Sequence, residues 1–168
     1  FTRLLENWSY YDIFLVEPDS GHILYSVFKE LDFGTSLISG PYSDTVIADA
    51  FNEGKKLNNG DVFLTYFSRY GPSYNNPASF VSTSVCVNGT IEVVLKYQIP
   101  IGRIKEIMIN NNEWVSRGYG ESGESYLVGS DLTLLSESRF FIEDQSSYLK
   151  LLNSIGENDL AQVITAKN

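Results

Sequence analysis

The amino-acid sequence predicts an α+β domain, built on an antiparallel sheet of five strands with helices packed to one side. The first observation is a series of apolar segments of strand length, separated by turn signals such as PDSG at 18–21 and NG at 88–89. The second is composition, since 43% hydrophobic and 20% charged residues in a chain of 168 are typical of a globular protein. A chain of this length buries enough surface to fold without disulfides or a structural metal.

The first half of the chain predicts a helix, a hairpin and a second helix. TRLLENW near the start is rich in helix-forming residues. The segments YYDIFLVE and HILYSVF, on either side of PDSG, predict a β-hairpin. Its first strand is apolar on both faces from Ile13 to Val16, which indicates an interior strand. A helix is then expected to begin near Asp44 with Ser43 as its cap, and to end at Gly54.

Three further strands are predicted in the segments DVFLTYFSRY, ASFVSTSVCV and TIEVVLKYQIP, and the NG turn joins the last two. In the last strand, alternate apolar residues from Ile91 to Ile99 are expected to form a dry face of the sheet. The opposite face of this strand is expected to be partly polar, because it contains Glu92, Lys96 and Gln98. The following IGRIKEIM predicts a short amphipathic helix.

The C-terminal third of the chain predicts an additional hairpin and a helix. We expect one domain at residues 9–110 and a C-terminal extension at 111–168. Within the extension, ESYLVGSDLTLLS at 124–136 repeats the pattern of the first hairpin, an apolar strand, an acidic turn and another apolar strand. The extension is therefore either an accessory hairpin with a helix or the start of a second module. Since the chain begins without Met, we expect it to be part of a longer protein.

Several classes of function lack the residues they require. A net charge of −9 and the lack of a basic run argue against nucleic-acid binding. The single histidine, His22, sits beside the hairpin turn, and the single cysteine, Cys86, lies between valines. Catalytic triads and His/Cys metal sites therefore cannot be assembled, and we predict no catalytic residue, cofactor or metal. A hydrolase that uses paired carboxylates remains an alternative.

Residues 66–80, YFSRYGPSYNNPASF, combine five aromatic rings with hydroxyl groups and one arginine. A strand end with this composition can supply apolar walls and a few convergent polar groups, so we predict a small-molecule pocket here. Arg69 could hold a carboxylate of the ligand through two parallel hydrogen bonds. The predicted ligand-binding residues are Tyr66, Ser68, Arg69, Tyr70 and Tyr74 from this segment, with Ser82, Ser84 and Lys96 from the next two strands.

Six segments, taken in order, resemble a known family: YYDIFLVEPDSGHILYSVFKE, GPYSD, YFSRYGPSYNNPASFVSTSV, VVLKYQIPIGRIKEIM, GYGESGESYLVGSD and SESRFF. The chain resembles the extracytoplasmic PAS-like (Cache) sensor domains of bacterial transmembrane receptors, most of all methyl-accepting chemotaxis proteins. The resemblance runs from about residue 9 to residue 141. It implies a five-stranded PAS-like sheet flanked by helices. The amino-acid-binding signature of the family, an Arg and a Trp before a Tyr and an Asp, is missing, so the identity of the ligand stays open.

The resemblance implies a ligand-sensing domain rather than an enzyme, in the periplasmic or extracellular part of an inner-membrane chemoreceptor. A small molecule would be its ligand, and a carboxylate is the candidate class. The membrane would be reached only through spans outside these residues, and a homodimer is expected in the full receptor. Two alternatives remain. One is the sensor domain of a histidine kinase or nucleotide cyclase, and the other is a PAS-type protein-interaction module without a small ligand.

Overall fold

The structure, a computed structural model, describes residues 1–109, 113–129, 132 and 134–157. The chain divides into two compact units, residues 1–104 and residues 105–168, and each is described by itself. The proposed boundary near residue 110 between a sensor domain and an extension stays a prediction. Within the described ranges, every helix is too short or too polar to cross a membrane.

The first unit contains most of the regular structure, and α3 begins in it. Its elements are α1 (Thr2–Trp8), β1 (Asp12–Val16), β2 (Ile23–Ser26), α2 (Val46–Gly54), β3 (Phe63–Leu64), β4 (Ser68–Tyr70), a 3-10 turn (Gly71–Ser73), β5 (Asn76–Val87), β6 (Thr90–Pro100) and α3 (Ile101–Ile109). The sheet has the order β2-β1-β6-β5-β3, with β4 also paired to β5, and every pairing is antiparallel. The predicted α+β fold with an antiparallel sheet is therefore confirmed.

The sheet has six strands because the segment predicted as one strand, residues 61–70, forms the two short strands β3 and β4. The prediction that β1 is an interior strand is confirmed, since β1 pairs with β2 on one side and β6 on the other. Between β5 and β6, Asn88 and Gly89 have φ values of 51° and 84°. A two-residue turn with both φ values positive matches the twist of the flanking strands, which is why the NG sequence located this hairpin correctly.

Helix α2 begins later than predicted. Its first residue is Val46 and its N-cap is Thr45, so neither a start near Asp44 nor a cap at Ser43 is observed. The Thr45 hydroxyl donates a hydrogen bond to the Tyr42 carbonyl oxygen at 2.7 Å. Ser43 and Asp44, which were expected to start the helix, therefore lie in a turn before it. The predicted end at Gly54 is confirmed.

The prediction of which face of β6 is dry is wrong. The fully buried side chains of this strand are Val94, Lys96 and Gln98, whereas the alternate apolar residues between Ile91 and Ile99 are only half-buried. The reason is that α2 packs against β5 and β6 on the face that carries Lys96. The hydrophobic core of the unit lies on this face and includes Phe14, Val16, Ile23, Leu37, Ile47, Ala50, Phe51, Tyr70, Phe80 and Val94.

In the second unit, a turn region is followed by the helices α4 (Arg139–Glu143) and α5 (Gln145–Ser154). The predicted hairpin at 124–136 is represented by an antiparallel bridge between Val128 and Leu134. Its turn residues 130, 131 and 133 lie outside the described residues.

A buried arginine organises the glycine-rich segment of the second unit. Arg139 is 5% exposed, and its Nε lies 2.8 Å from the Glu143 carboxylate. Its Nη1 donates to the carbonyl oxygens of Gly120 at 3.0 Å and Gly123 at 2.9 Å. The guanidinium also lies 5.0 Å from the ring centroid of Trp114. The segment RGYGESGE thus folds around this side chain, and Gly118 and Gly120 have positive φ values that glycine adopts without strain.

Candidate ligand-binding site

An open cleft of about 1120 Å³ lies in the first unit between α2 and the segment that contains β3 and β4. We call it the α2 cleft. Its volume lies slightly above the usual range for small-molecule sites, about 300–1,000 Å³, so the cleft has room for a small ligand. The lining residues are Asp44, Thr45, Val46, Asp49, Asn52, Glu53, Lys55, Lys56, Phe63, Thr65, Tyr66, Ser68 and Arg69.

Three of the predicted ligand-binding residues, Tyr66, Ser68 and Arg69, line the α2 cleft. The Arg69 side chain is exposed, and its one described hydrogen bond is a long one, 3.5 Å from Nη1 to the carbonyl oxygen of Asn75. A guanidinium carries five N–H donors in a planar fork, so Arg69 keeps donors for a carboxylate. Tyr66 is 82% exposed and offers a ring face to the same cleft.

The opposite wall of the α2 cleft carries charges of both signs. Asp44 and Asp49, before and within the first turns of α2, are exposed carboxylates. At the other end of the helix, the ammonium of Lys56, two residues after α2, pairs with Glu53 at 2.6 Å. A cation on one wall and carboxylates on the other match a small ligand that has both an acidic and a basic group.

The remaining predicted residues do not line the α2 cleft. Tyr74 is 86% exposed and lies outside it. Tyr70, Ser82, Ser84 and Lys96 are buried. The structure therefore divides the predicted residues into three groups. The surface group lines the α2 cleft and consists of Tyr66, Ser68 and Arg69, the buried group consists of Tyr70, Ser82, Ser84 and Lys96, and Tyr74 stands apart.

The buried group centres on Lys96. In the sheet, Lys96 of β6 lies between Phe14 of β1 and Ser82 of β5. Its Nζ donates to the carbonyl oxygen of Ile47 in α2 at 2.8 Å and lies 5.2 Å from the ring centroid of Phe51. Lys96 thus links the sheet to α2 from beneath the helix.

Several polar atoms near Lys96 are buried without a hydrogen-bond partner among the described residues. They are Ser82 Oγ, Gln98 Oε1 and Asp32 Oδ1. Gln98 follows Lys96 by two residues and therefore shares its face of the sheet. A buried polar atom without a partner costs about 1–3 kcal/mol, so three together call for further partners such as bound water or a ligand. We call Lys96, Ser82, Gln98 and Asp32 the Lys96 cluster.

Burial shifts the protonation of the two ionisable groups in this cluster in opposite directions. Burial lowers the pKa of Lys96 well below its usual value, and the charge of Asp32 opposes this only in part. Burial raises the pKa of the Asp32 carboxyl, although Asp32 accepts a hydrogen bond from the Tyr70 hydroxyl. Both shifts favour uncharged forms, which are frequent where ionisable side chains serve a function.

Two further buried or half-buried carboxylates were not predicted from the sequence. Asp12 accepts hydrogen bonds from backbone N–H groups of β1 and of the segment after β2. Glu30 accepts hydrogen bonds from the hydroxyls of Tyr11 at 2.6 Å and Ser73 at 3.3 Å. A signal existed for Asp12, because it opens the otherwise apolar strand DIFLV. For Asp32, the carboxylate of the Lys96 cluster, no sequence pattern indicated burial, because its partner Tyr70 is 38 residues away in the chain.

The α2 cleft and the Lys96 cluster adjoin through α2 and β3. Val46 lines the cleft, and the next residue, Ile47, accepts the hydrogen bond from Lys96. Phe63 lines the cleft and is also the partner of Ser82 in the sheet. A ligand in the cleft would therefore contact the helix that the cluster holds from below.

No protein-family model matches the chain, and no curated protein matches it either. Among solved structures, the ligand-binding domain of the Campylobacter jejuni chemoreceptor Tlp3, in complex with 4-methylisoleucine, is similar with a TM-score of 0.56, 14% identity and coverage of 86% of this chain and 50% of that one. The ligand-binding domain of the Pseudomonas aeruginosa PAO1 amino acid chemoreceptor PctC, in complex with GABA, is similar with a TM-score of 0.50, 16% identity and coverage of 81% and 55%. The sensor domain of the Vibrio cholerae histidine kinase DctB follows with a TM-score of 0.43, 17% identity and coverage of 62% and 36%.

The chain therefore has the fold of the extracytoplasmic sensor domains of chemoreceptors, and the predicted PAS-like (Cache) fold is confirmed. It spans about half the length of the chemoreceptor domains that it matches.

Proposed function

We propose that the chain is the ligand-sensing extracytoplasmic domain of a transmembrane chemoreceptor. The observation that carries the proposal is the α2 cleft, which is large enough for a small molecule and is lined by Tyr66, Ser68 and Arg69 within a chemoreceptor sensor fold. The role is binding, not catalysis. The domain would lie in the periplasm or outside the cell, and membrane spans outside these residues would anchor it.

The ligand that suits the α2 cleft is a small molecule with a carboxylate. Arg69 holds the carboxylate through two N–H donors, and Tyr66 covers the apolar part of the ligand. Asp44 and Asp49 on the opposite wall accept from an ammonium group, if the ligand has one. The ligands named for the two similar chemoreceptor domains, 4-methylisoleucine and GABA, both have a carboxylate and an amine, which supports this choice.

Signalling requires that the ligand bind one position of α2 more tightly than another, because a ligand with equal affinity for both positions shifts nothing. The α2 cleft meets this requirement, since one of its walls is α2 itself. In the full receptor, a homodimer would then carry the shift across the membrane.

The proposal is tested by a thermal-shift screen of the purified protein against amino acids, organic acids, amines and nucleobases. A compound at 100 times its Kd should stabilise the fold by about 2.7 kcal/mol, which raises Tm by several degrees. We expect a carboxylate to produce the shift and Arg69→Ala to abolish it. Arg117→Ala, which removes an exposed arginine from the other unit, is the matched control and should keep the shift.

Two results would contradict the proposal. One is a panel in which no compound raises Tm. The other is a carboxylate that raises Tm equally in the wild type and in Arg69→Ala, because the α2 cleft would then not be the site.

A further inference from the structure

Lys96 is a fully buried lysine with a neutral hydrogen-bond partner. Its Nζ donates to the backbone carbonyl oxygen of Ile47 at 2.8 Å. Lys96 takes part in none of the ion pairs formed within the described part of the chain. A lysine without a counter-ion in the interior is commonly found as the free amine, because burial penalises the ammonium form.

The surroundings of Lys96 retain unused hydrogen-bonding capacity. Ser82 Oγ, directly across the sheet from Lys96, has no described partner. The same holds for Gln98 Oε1, two residues along the strand, and for Asp32 Oδ1, whose charge acts on Lys96. An amine, a hydroxyl and an amide oxygen therefore lie on one buried face of the sheet, and the Asp32 carboxyl is close enough for its charge to act on the amine.

We propose that Lys96, within the cluster it forms with Ser82, Gln98 and Asp32, binds a small aldehyde or ketone reversibly as an imine. A desolvated lysine amine is a nucleophile toward carbonyl carbons, and enzymes that form Schiff bases use such lysines. The inference rests on the proposed sensing role for its biological use, and the carbonyl compound would be a second ligand class for the same domain.

The chemistry balances within the cluster. The lone pair of Lys96 Nζ forms a bond to the carbonyl carbon, and one proton moves from nitrogen to oxygen to give a carbinolamine. The Asp32 carboxyl group then donates a proton to the hydroxyl, which leaves as water while the nitrogen–carbon double bond forms. The remaining N–H proton returns to Asp32. The sum is amine plus carbonyl compound giving imine plus water, with no oxidant or reductant.

The directions of the pKa shifts agree with these roles. Burial lowers the pKa of Lys96, which supplies the neutral amine, and raises the pKa of Asp32, which supplies the proton donor. The Tyr70 hydroxyl donates to Asp32 Oδ2, and this leaves Oδ1 to carry the proton.

The packing above the cluster limits access to Lys96. Gly54 of α2 lies so close to Ser82 that a Cβ at position 54 would overlap the Ser82 hydroxyl. The packed state has no room beside Ser82 even for a methyl group, so a carbonyl compound reaches Lys96 only when α2 moves away from the sheet and the hydrogen bond between Lys96 and Ile47 breaks. Imine formation would therefore release α2 from the sheet, the same helix that lines the α2 cleft.

The test uses propionaldehyde and sodium cyanoborohydride at pH 6.5, followed by peptide mapping of the propylated lysines. At this pH an exposed lysine with an ordinary pKa has roughly 1 in 10,000 of its amines uncharged. We expect Lys96 to be labelled at least tenfold faster than the exposed Lys56 and Lys150 in the same sample. Ser82→Ala should slow the labelling of Lys96 and leave that of Lys56 unchanged.

The inference is overturned if Lys96 stays unlabelled, or is labelled no faster than Lys56, in protein whose circular dichroism shows that it is folded. Lys96→Met provides a second measurement if it folds. Propionaldehyde without reductant should raise Tm in the wild type and not in this variant. Failure here is distinguishable from failure of the proposed function, because Arg69→Ala should lose the response to carboxylates and still be labelled at Lys96.

Discussion

Asp12 joins two segments of the first unit through backbone N–H groups. Its Oδ1 accepts from Ile13 at 2.7 Å and from Val27 at 2.8 Å, and its Oδ2 accepts from Phe28 at 3.4 Å. The side chain is fully buried at the start of β1. It therefore fixes the chain where β2 ends and the segment that contains Asp32 begins.

Asp12 should make the stability of the protein depend on pH. Burial raises the pKa of Asp12 from 3.8 to about 6, although the backbone N–H groups oppose the shift. The folded state therefore binds this proton more tightly than the unfolded chain does. The resulting stabilisation is fully present below about pH 4 and is lost as the pH rises to about 6.

This pH dependence can be measured by urea unfolding of the wild type and of Asp12→Asn between pH 4 and pH 7. Since asparagine does not titrate, the free energy of unfolding of the wild type relative to the variant should fall by on the order of 2 kcal/mol over this range. A relative free energy that rises with pH would show that the N–H groups outweigh burial and that the pKa is lowered instead.

At the level of elements, α2 is the helix that brings the site together. Its outer residues line the α2 cleft, and its inner residues Ile47 and Phe51 contact Lys96. The close approach to the sheet depends on Gly54, which is buried as the last residue of the helix. A Cβ there would lie 2.9 Å from Ser82 Cβ and 3.1 Å from Val94 Cγ1.

Gly54→Ala should therefore destabilise the protein, although alanine is the better helix former. Overpacking of this kind costs about 1–3 kcal/mol. The matched control is Gly102→Ala in α3, where an added Cβ would meet no atom within 4 Å. This control should be neutral or stabilising by up to about 1 kcal/mol. Urea unfolding measures both, and equal effects of the two substitutions would contradict the close packing of α2 on the sheet.

At the scale of the whole molecule, both candidate sites belong to the first unit. The α2 cleft and the Lys96 cluster are formed by side chains between Asp32 and Gln98, whereas the second unit has its own buried centre at Arg139. The first unit also contains the complete sheet and its hydrophobic core. It therefore has what a domain needs to fold alone.

Residues 1–109 expressed alone, which keep α3 whole, should fold cooperatively and bind the same carboxylate as the full chain. We expect a Kd within about threefold, measured by calorimetry, because no residue of the proposed site is removed. A folded fragment that binds the ligand more than about tenfold more weakly would place part of the site in residues 110–168.

The sequence by itself determined the succession of strands along the chain and the two hairpins of the first unit. Turn chemistry and period-two alternation are local properties, so PDSG, NG and the β1 pattern could be interpreted without a partner segment. The composition of the aromatic segment likewise predicted a pocket at Tyr66, Ser68 and Arg69, which line the α2 cleft, and their role in ligand binding stays a prediction.

Only the tertiary structure decided which face of the sheet is dry and which polar groups lie inside. Lys96 and Gln98 are indistinguishable in the sequence from solvent-facing residues of a half-buried strand, and they are buried because α2 and the turn after β4 cover them. Asp32 lies in a loop and becomes an interior group through a contact 38 residues away. Burial depends on what packs above a residue, and the alternation along one strand contains no information about that cover.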